Sequence, residues 1–255
     1  MQDWSTFLSA MTLALVRLSG VVAFAPFFSA TALPVRTRAG FVLACAWLLA
    51  PLVAGLPGAS VSLSISALLG ELAVGMVYGL ALGLLNEMLL FAGQIAGVQF
   101  SFSLVNLLDP NSQVQTPLMG TLFGLMGSLV LLAAGLDRIL LASLVRSFHA
   151  VPLGSFVLSR AAGAGLVSAA GGIFLAALEL AAPVLASTLL VELAIGLMGR
   201  ISPQLPVMSL TVPLKTLTGF AVLIGSLAVW PRFIEARFDG LLNLAEHLLA
   251  RSTGG

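Results

Sequence analysis

Side chains able to do chemistry are scarce in this chain, and none is spaced for catalysis. Acid–base hydrolysis by carboxylates requires two of them to converge. Glu71 and Glu87 lie sixteen residues apart and Glu179 and Glu192 thirteen, so each pair points to nearly opposite sides of a straight helix. Asp109 and Asp137 sit in no context that resembles an intramembrane aspartyl hydrolase. His149 has no second His, Cys or close carboxylate beside it in sequence and reads as a structural or surface histidine. Cys45, the single cysteine, lies within an apolar run, which excludes a disulfide framework and a thiolate metal site. Gly163-Ala164-Gly165 opens like a dinucleotide fingerprint, but Ser168 stands where the third glycine belongs, so the run reads as helix contact. Walker A, HExxH and GxSxG runs are absent. The expectation is a protein that is not an enzyme and holds neither metal nor cofactor.

Two polar features remain. One is Arg17, alone inside the first apolar segment. A charge at that depth is costly unless it faces protein or water, so Arg17 is expected to pair within the helical bundle or to snorkel. The other is the irregular stretch Gln94–Pro117, polar with a single charge yet studded with Phe100, Phe102, Leu104, Leu107 and Leu108. Asp109-Pro110-Asn111 marks a turn within it, since proline fixes φ and disfavours helix at the residue before. Two readings fit: backbone buried in protein or lining a cavity at membrane depth, and a hairpin loop exposed at the membrane surface.

The elements that carry these residues are membrane helices. The chain is 59% hydrophobic and 8% charged, with a mean hydropathy of +1.11, whereas a soluble domain carries about 25% charged residues. The net charge of +1 gives no reason to expect nucleic acid as a partner. Met1-Gln2-Asp3-Trp4 has no basic residue ahead of the first apolar run, so that run is read as mature protein rather than as a cleaved signal.

In order, the first segment runs from about Phe7 to Phe28 and the second from Ala39 to about Leu56, ending at the turn signal Pro57-Gly58. The third, Ala67 to Gly93, has only Leu72 to Asn86 free of charge, about 22 Å as a helix and short of a bilayer core. Gly75, Gly79 and Gly83 stand four apart on it and form a bare stripe, read as a helix–helix interface. Leu118–Leu136 is the fourth span, followed by a more polar region with a turn at Val151-Pro152-Leu153-Gly154. The fifth segment, Ala161–Gly199, is expected to kink at Pro183, and the sixth, Val207–Trp230, to be broken by Pro213 and Lys215. The tail, residues 231–250, is amphipathic and is expected to lie on a membrane or on a partner protein. Basic residues give no consistent orientation: six alternating spans put Arg36, Arg38 and Arg200 on one side but Arg138, Arg146 and Arg160 on the other. Bent helical hairpins buried against other subunits accommodate this better than a conventional six-helix bundle.

The order and spacing of several motifs resemble the FliR family of flagellar biosynthesis export-gate proteins, whose counterparts serve virulence type III secretion. The residues that carry the likeness are Pro26-Phe27 with Leu33-Pro34 and Arg36; Gly70-Glu71 with Gly75 and Gly79; and Gln94, Gly97 and Gln99 leading to Asp109-Pro110 and Pro117. Further on they are Ser147-Phe148 with Pro152, then Pro183, and finally Arg200 with Pro203-Gln204 and Pro213-Leu214-Lys215. Leu205-Pro206-Val207 departs from the pattern where an Asn is expected.

The resemblance implies an all-α membrane protein of bent, Pro/Gly-interrupted hairpins. Its N-terminal part, residues 1–155, would be FliP-like and its C-terminal part, residues 156–255, FliQ-like. It implies a non-enzymatic subunit in the inner membrane at the flagellar basal body, assembled with FliP and FliQ beside FlhB and FlhA. The complex would conduct unfolded export substrates. The loop at about 94–117 would plug the closed pore through Phe100, Phe102, Leu104, Asn106, Leu107, Leu108, Asp109 and Pro110. The alternatives are a virulence-system homologue of the same gate, or a small-solute or ion transporter. A transporter predicts inverted repeats and converging charges, and the charges here do not converge by sequence.

Overall fold

The computed structural model describes residues 4–24, 34–100, 118–156, 160–202 and 207–250. These form α-helices with no strand among the described residues. In chain order they are α1 (Trp4–Phe24), α2 (Val35–Ala54), α3 (Ile65–Gln99), α4 (Leu118–Ala133), α5 (Leu136–Ala150), α6 (Arg160–Ile201), α7 (Val207–Ser226) and α8 (Trp230–Ala250). Among the described residues, five helices (α1, α2, α3, α6 and α7) are long and apolar enough to cross a membrane, and α4 with α5 makes a sixth if counted as one broken span.

Local chemistry sets several boundaries. Ser64 caps α3, its Oγ accepting the N–H of Ala67 at 3.1 Å and satisfying one of the orphan donors of the first turn. Between α2 and α3, Ala59 N–H bonds the Leu56 carbonyl at 3.2 Å, and Gly58 has a φ of +86°. That is a type II turn, with proline second and glycine third.

The chain divides into two compact units interleaved in sequence. One contains residues 1–85, 135–171 and 236–255, the other residues 86–134 and 172–235. In the first unit α1 is the central helix, with Ala10, Leu13, Ala14, Leu18 and Val21 almost wholly buried. In the second, α4 lies against α3 through small residues. A Cβ on Gly93 would strike the backbone of Met119 and Gly120, and one on Gly124 would touch Leu90. Phe123 and Trp230 pack with ring centroids 4.8 Å apart, and Phe91 meets Phe174 edge-on at 5.1 Å.

Four expectations change. Helix α3 is continuous over 35 residues, about 52 Å of rise, so it outruns the expected segment Ala67–Gly93 at both ends, with Glu71 paired inside it. Helix α7 runs unbroken through Pro213 and Lys215; α6 holds within its length the Pro183 at which a kink is expected. Proline is tolerated in membrane helices where neighbouring groups take up the freed backbone partners. The polar region after Leu136 is itself a helix, α5, amphipathic with Leu136, Leu140, Ser143, Leu144, Ser147 and Phe148 buried. The tail helix α8 turns its apolar face into its own chain: Ile234, Phe238 and Ala245 are fully buried, and Leu248 lies where a Cβ on Gly165 would be.

Candidate functional site

The most concentrated polar chemistry lies in the first unit, around Arg17. Its Nε donates to Glu71 Oε2 at 2.5 Å, with both side chains wholly buried. One terminal nitrogen donates to Ser147 Oγ at 3.3 Å and the other to the Val151 carbonyl oxygen at 2.9 Å. The Phe148 ring lies under the guanidinium, 4.2 Å from its carbon to the ring centroid, a cation–π contact strengthened by desolvation. Ser147 relays the bond by donating to the Leu144 carbonyl at 2.7 Å. The second oxygen of Glu71 accepts the Gly154 N–H at 2.8 Å.

These bonds converge on the turn Val151–Gly154. Arg17 holds the Val151 carbonyl, Glu71 holds the Gly154 N–H, and Ser60 N–H holds the Leu153 carbonyl at 2.9 Å. Gly154 has a φ of +72°, and a Cβ there would stand 2.5 Å from Ser60 Oγ. Only glycine meets both demands without strain. Two buried opposite charges thus tie α1, α3 and α5 to the turn that follows α5.

The same face of α3 carries the glycine stripe. A Cβ on Gly79 would lie 2.6 Å from the Gly20 carbonyl oxygen, and one on Gly83 2.9 Å from that of Phe24. On Gly75 it would run into the Arg17 carbonyl oxygen, while a Cβ on Gly20 would be 3.0 Å from the Gly75 backbone. As the number rises along α3, the contact rises along α1, so the two helices run parallel with backbones touching. Glu71 stands one turn before Gly75 in the same row, which is how it reaches Arg17. That row was the available signal for the pair: an acid continuing a glycine stripe, and one lone base in another apolar helix.

In the second unit, the described residues hold both roots of the stretch 101–117. Phe100 is 2% exposed and stacks on Phe220 with centroids 4.7 Å apart. Its carbonyl oxygen accepts from Thr216 Oγ1 at 3.4 Å. Thr188 Oγ1 lies 3.3 Å from Gln99 Oε1 and 2.9 Å from the Val184 carbonyl oxygen. On the return side, a Cβ on Gly97 would sit 3.3 Å from Met119 Cβ. The chain therefore leaves α3 and re-enters α4 at neighbouring points. Nearby Lys215, 6% exposed, pairs through Nζ with Glu192 Oε1.

Of the residues singled out for the plug, Phe100 is anchored in this way. Phe102, Leu104, Asn106, Leu107, Leu108, Asp109 and Pro110 lie outside the described residues. Glu87, Glu179 and His149 are exposed. Among the described residues no three of His, Cys, Asp and Glu come together to hold a metal ion.

The long apolar helices, the buried ion pair and the glycine-mediated contact define a polytopic all-α membrane protein. The profile of the family described as "Bacterial export proteins, family 1" matches residues 8–241, and the chain belongs to that family. It is 26% identical to the flagellar biosynthetic protein FliR of Escherichia coli (strain K12), over 98% of this chain and 96% of that one. It is 29% identical to FliR of Caulobacter vibrioides, over 96% and 99%. To FliR of Bacillus subtilis (strain 168) it is 32% identical, over 68% and 69%.

Proposed function

We propose that this export protein is a non-enzymatic subunit of the flagellar type III protein export gate, which helps to form and to plug the pore for unfolded substrates. The observation that carries the reading is likeness along nearly the whole chain to proteins named for flagellar biosynthesis. Those relatives share the flagellar name, which favours the flagellar system over a virulence system. On this reading the chain resides in the inner membrane at the basal body, in a hetero-oligomer with FliP and FliQ beside FlhB and FlhA. Residues 1–155 act as the FliP-like part and 156–255 as the FliQ-like part.

The plug is the part of the stretch 94–117 that follows the end of α3, since residues 94–99 are helical rather than irregular, and its rooted ends support that role. A closure must be bulky and apolar to exclude water, and must move without unravelling its supports. Phe100 and Gln99 at one root and Met119 at the other are held by helices α3, α4, α6 and α7, and the segment between them is rich in Leu and Phe. Phe102, Leu104, Leu107 and Leu108 supply the bulk, while Asn106, Asp109 and Pro110 set the bend.

Affinity purification of the tagged chain tests the assembly. A gate subunit is recovered with unlike membrane partners and its loss abolishes flagellar export. Recovery as a stable monomer or a symmetric homo-oligomer, with export intact in the deletion strain, overturns the reading in favour of a transporter.

A further inference from the structure

An apolar cavity of about 180 Å³ lies between α1, α2 and α5 in the first unit, walled by Leu18, Val22, Phe41, Cys45, Leu141 and Val145 among others. Among the described residues no charged or polar side chain lines it beyond the thiol of Cys45. A dry apolar cavity of about 150 Å³ is enough to take a benzene-sized guest, so this one has room for a segment of alkyl chain. It is not sealed. Leu48, 61% exposed, and Leu141 and Val145, about two-fifths exposed, belong to the same wall, so the mouth opens on the outer surface. That surface is a membrane surface by composition: α2 is a candidate span, and Leu43, Trp47 and Leu52 are exposed on it.

The rim is basic. Arg138, Leu141 and Val145 stand at i, i+3 and i+7 on α5, which puts an exposed guanidinium on the mouth side one turn from the cavity wall. Arg36, also exposed, lies in the first turn of α2, five residues before Phe41 of the wall. A groove that is apolar within and flanked by basic side chains matches an anionic phospholipid, whose acyl chain enters the wall while its phosphate meets the arginine.

We infer that the groove between α1, α2 and α5 binds one acyl chain of an anionic membrane phospholipid, with Arg138 at the phosphate. The inference needs only that α2 lies in a bilayer and stands apart from the gate reading. The bound chain fills a void in the same unit that holds the Arg17–Glu71 pair, so lipid would complete the apolar support of α5.

The test uses the full chain in phosphatidylcholine nanodiscs doped with phosphatidylglycerol carrying a photoreactive diazirine on its acyl chain. Cross-linked peptides are expected in α2 and α5. Cys45→Phe and, at the exposed mouth, Leu141→Trp fill the groove and should abolish them. Arg138→Gln, on the surface and neutral for folding, should lower labelling about fivefold, the change expected for removing one basic side chain beside a lipid phosphate. Three results overturn the proposal. The first is labelling outside the groove, or labelling unaffected by both filling variants. The second is equal labelling by a diazirine phosphatidylcholine, which removes the anionic headgroup. The third is loss of labelling once the unlike subunits are added, which makes the native occupant a protein side chain.

Discussion

Arg17 on α1 and Glu71 on α3 meet at 2.5 Å with neither side chain exposed, and between them they hold both the carbonyl of Val151 and the N–H of Gly154. A buried ion pair is seldom a net gain over two apolar residues of the same volume, because both charges lose their water. Its effect here is positional: the pair sets where α5 and the following turn sit against α1 and α3.

That cost structure gives the first prediction. Glu71→Gln leaves the Arg17 charge buried without a counter-ion and should destabilise the chain by about 3–5 kcal/mol, whereas Arg17→Met with Glu71→Met should recover most of the loss. Unfolding midpoints of Arg17→Met, Glu71→Met and the double variant in detergent measure the coupling. Additive losses would mean that the two residues do not act as a pair.

The glycine row predicts a second result. At Gly79 a side chain meets the Gly20 carbonyl oxygen at 2.6 Å and Phe24 Cβ at 3.1 Å. Gly79→Leu should separate α1 from α3, break the Arg17–Glu71 contact two turns along the same face, and prevent recovery of any assembled complex. Gly171 is the control: among the described residues a Cβ there meets nothing within 4 Å. Normal folding of the isolated Gly79→Leu chain, judged by protease resistance beside Gly171→Leu, would contradict the contact.

The tail yields a third. Phe238 is wholly buried, so Phe238→Ala should cost about 3–5 kcal/mol in the chain by itself. Asp239→Asn, on the exposed face, should stay within about 0.5 kcal/mol. Thermal melting of the purified chain without partners separates the cases. An unchanged melting temperature for Phe238→Ala would return the helix to the role of a free surface-binding tail.

The plug proposal yields a fourth. Shortening the loop between Val105 and Gln113 should make the closed complex leak ions while assembly persists, because the roots at Phe100 and Met119 are untouched. Dye uptake or conductance in cells carrying the substrate-free complex is the measurement. Wild-type permeability with assembly confirmed would leave the loop as an exposed connection.

Hydropathy in the sequence was sufficient for the membrane class and for the order of the long helices, because desolvating a backbone leaves the helix as the only local solution. The turns at Pro57-Gly58 and Pro152-Leu153-Gly154 were legible for the same local reason, since proline and a glycine with positive φ act within four residues. Arg17 could be read as a charge in need of a protein partner. That its partner is Glu71, 54 residues away, was hinted at only by the glycine row that Glu71 continues, since no periodic rule by itself links two helices that meet only in three dimensions. Counting only the charge-free stretch Leu72–Asn86 toward the apolar length of α3 understated it for the same reason: a charge limits a span only while it is unpaired. Helix α5 was missed because its exposed Arg138, Arg146 and His149 outweighed a buried row that is plain once Leu140, Leu144 and Phe148 are seen together. The period of α8 fixed which side of it is apolar, but only tertiary structure decided that the chain covers that side itself. Periodicity reports the need for burial and carries no information about which surface supplies it.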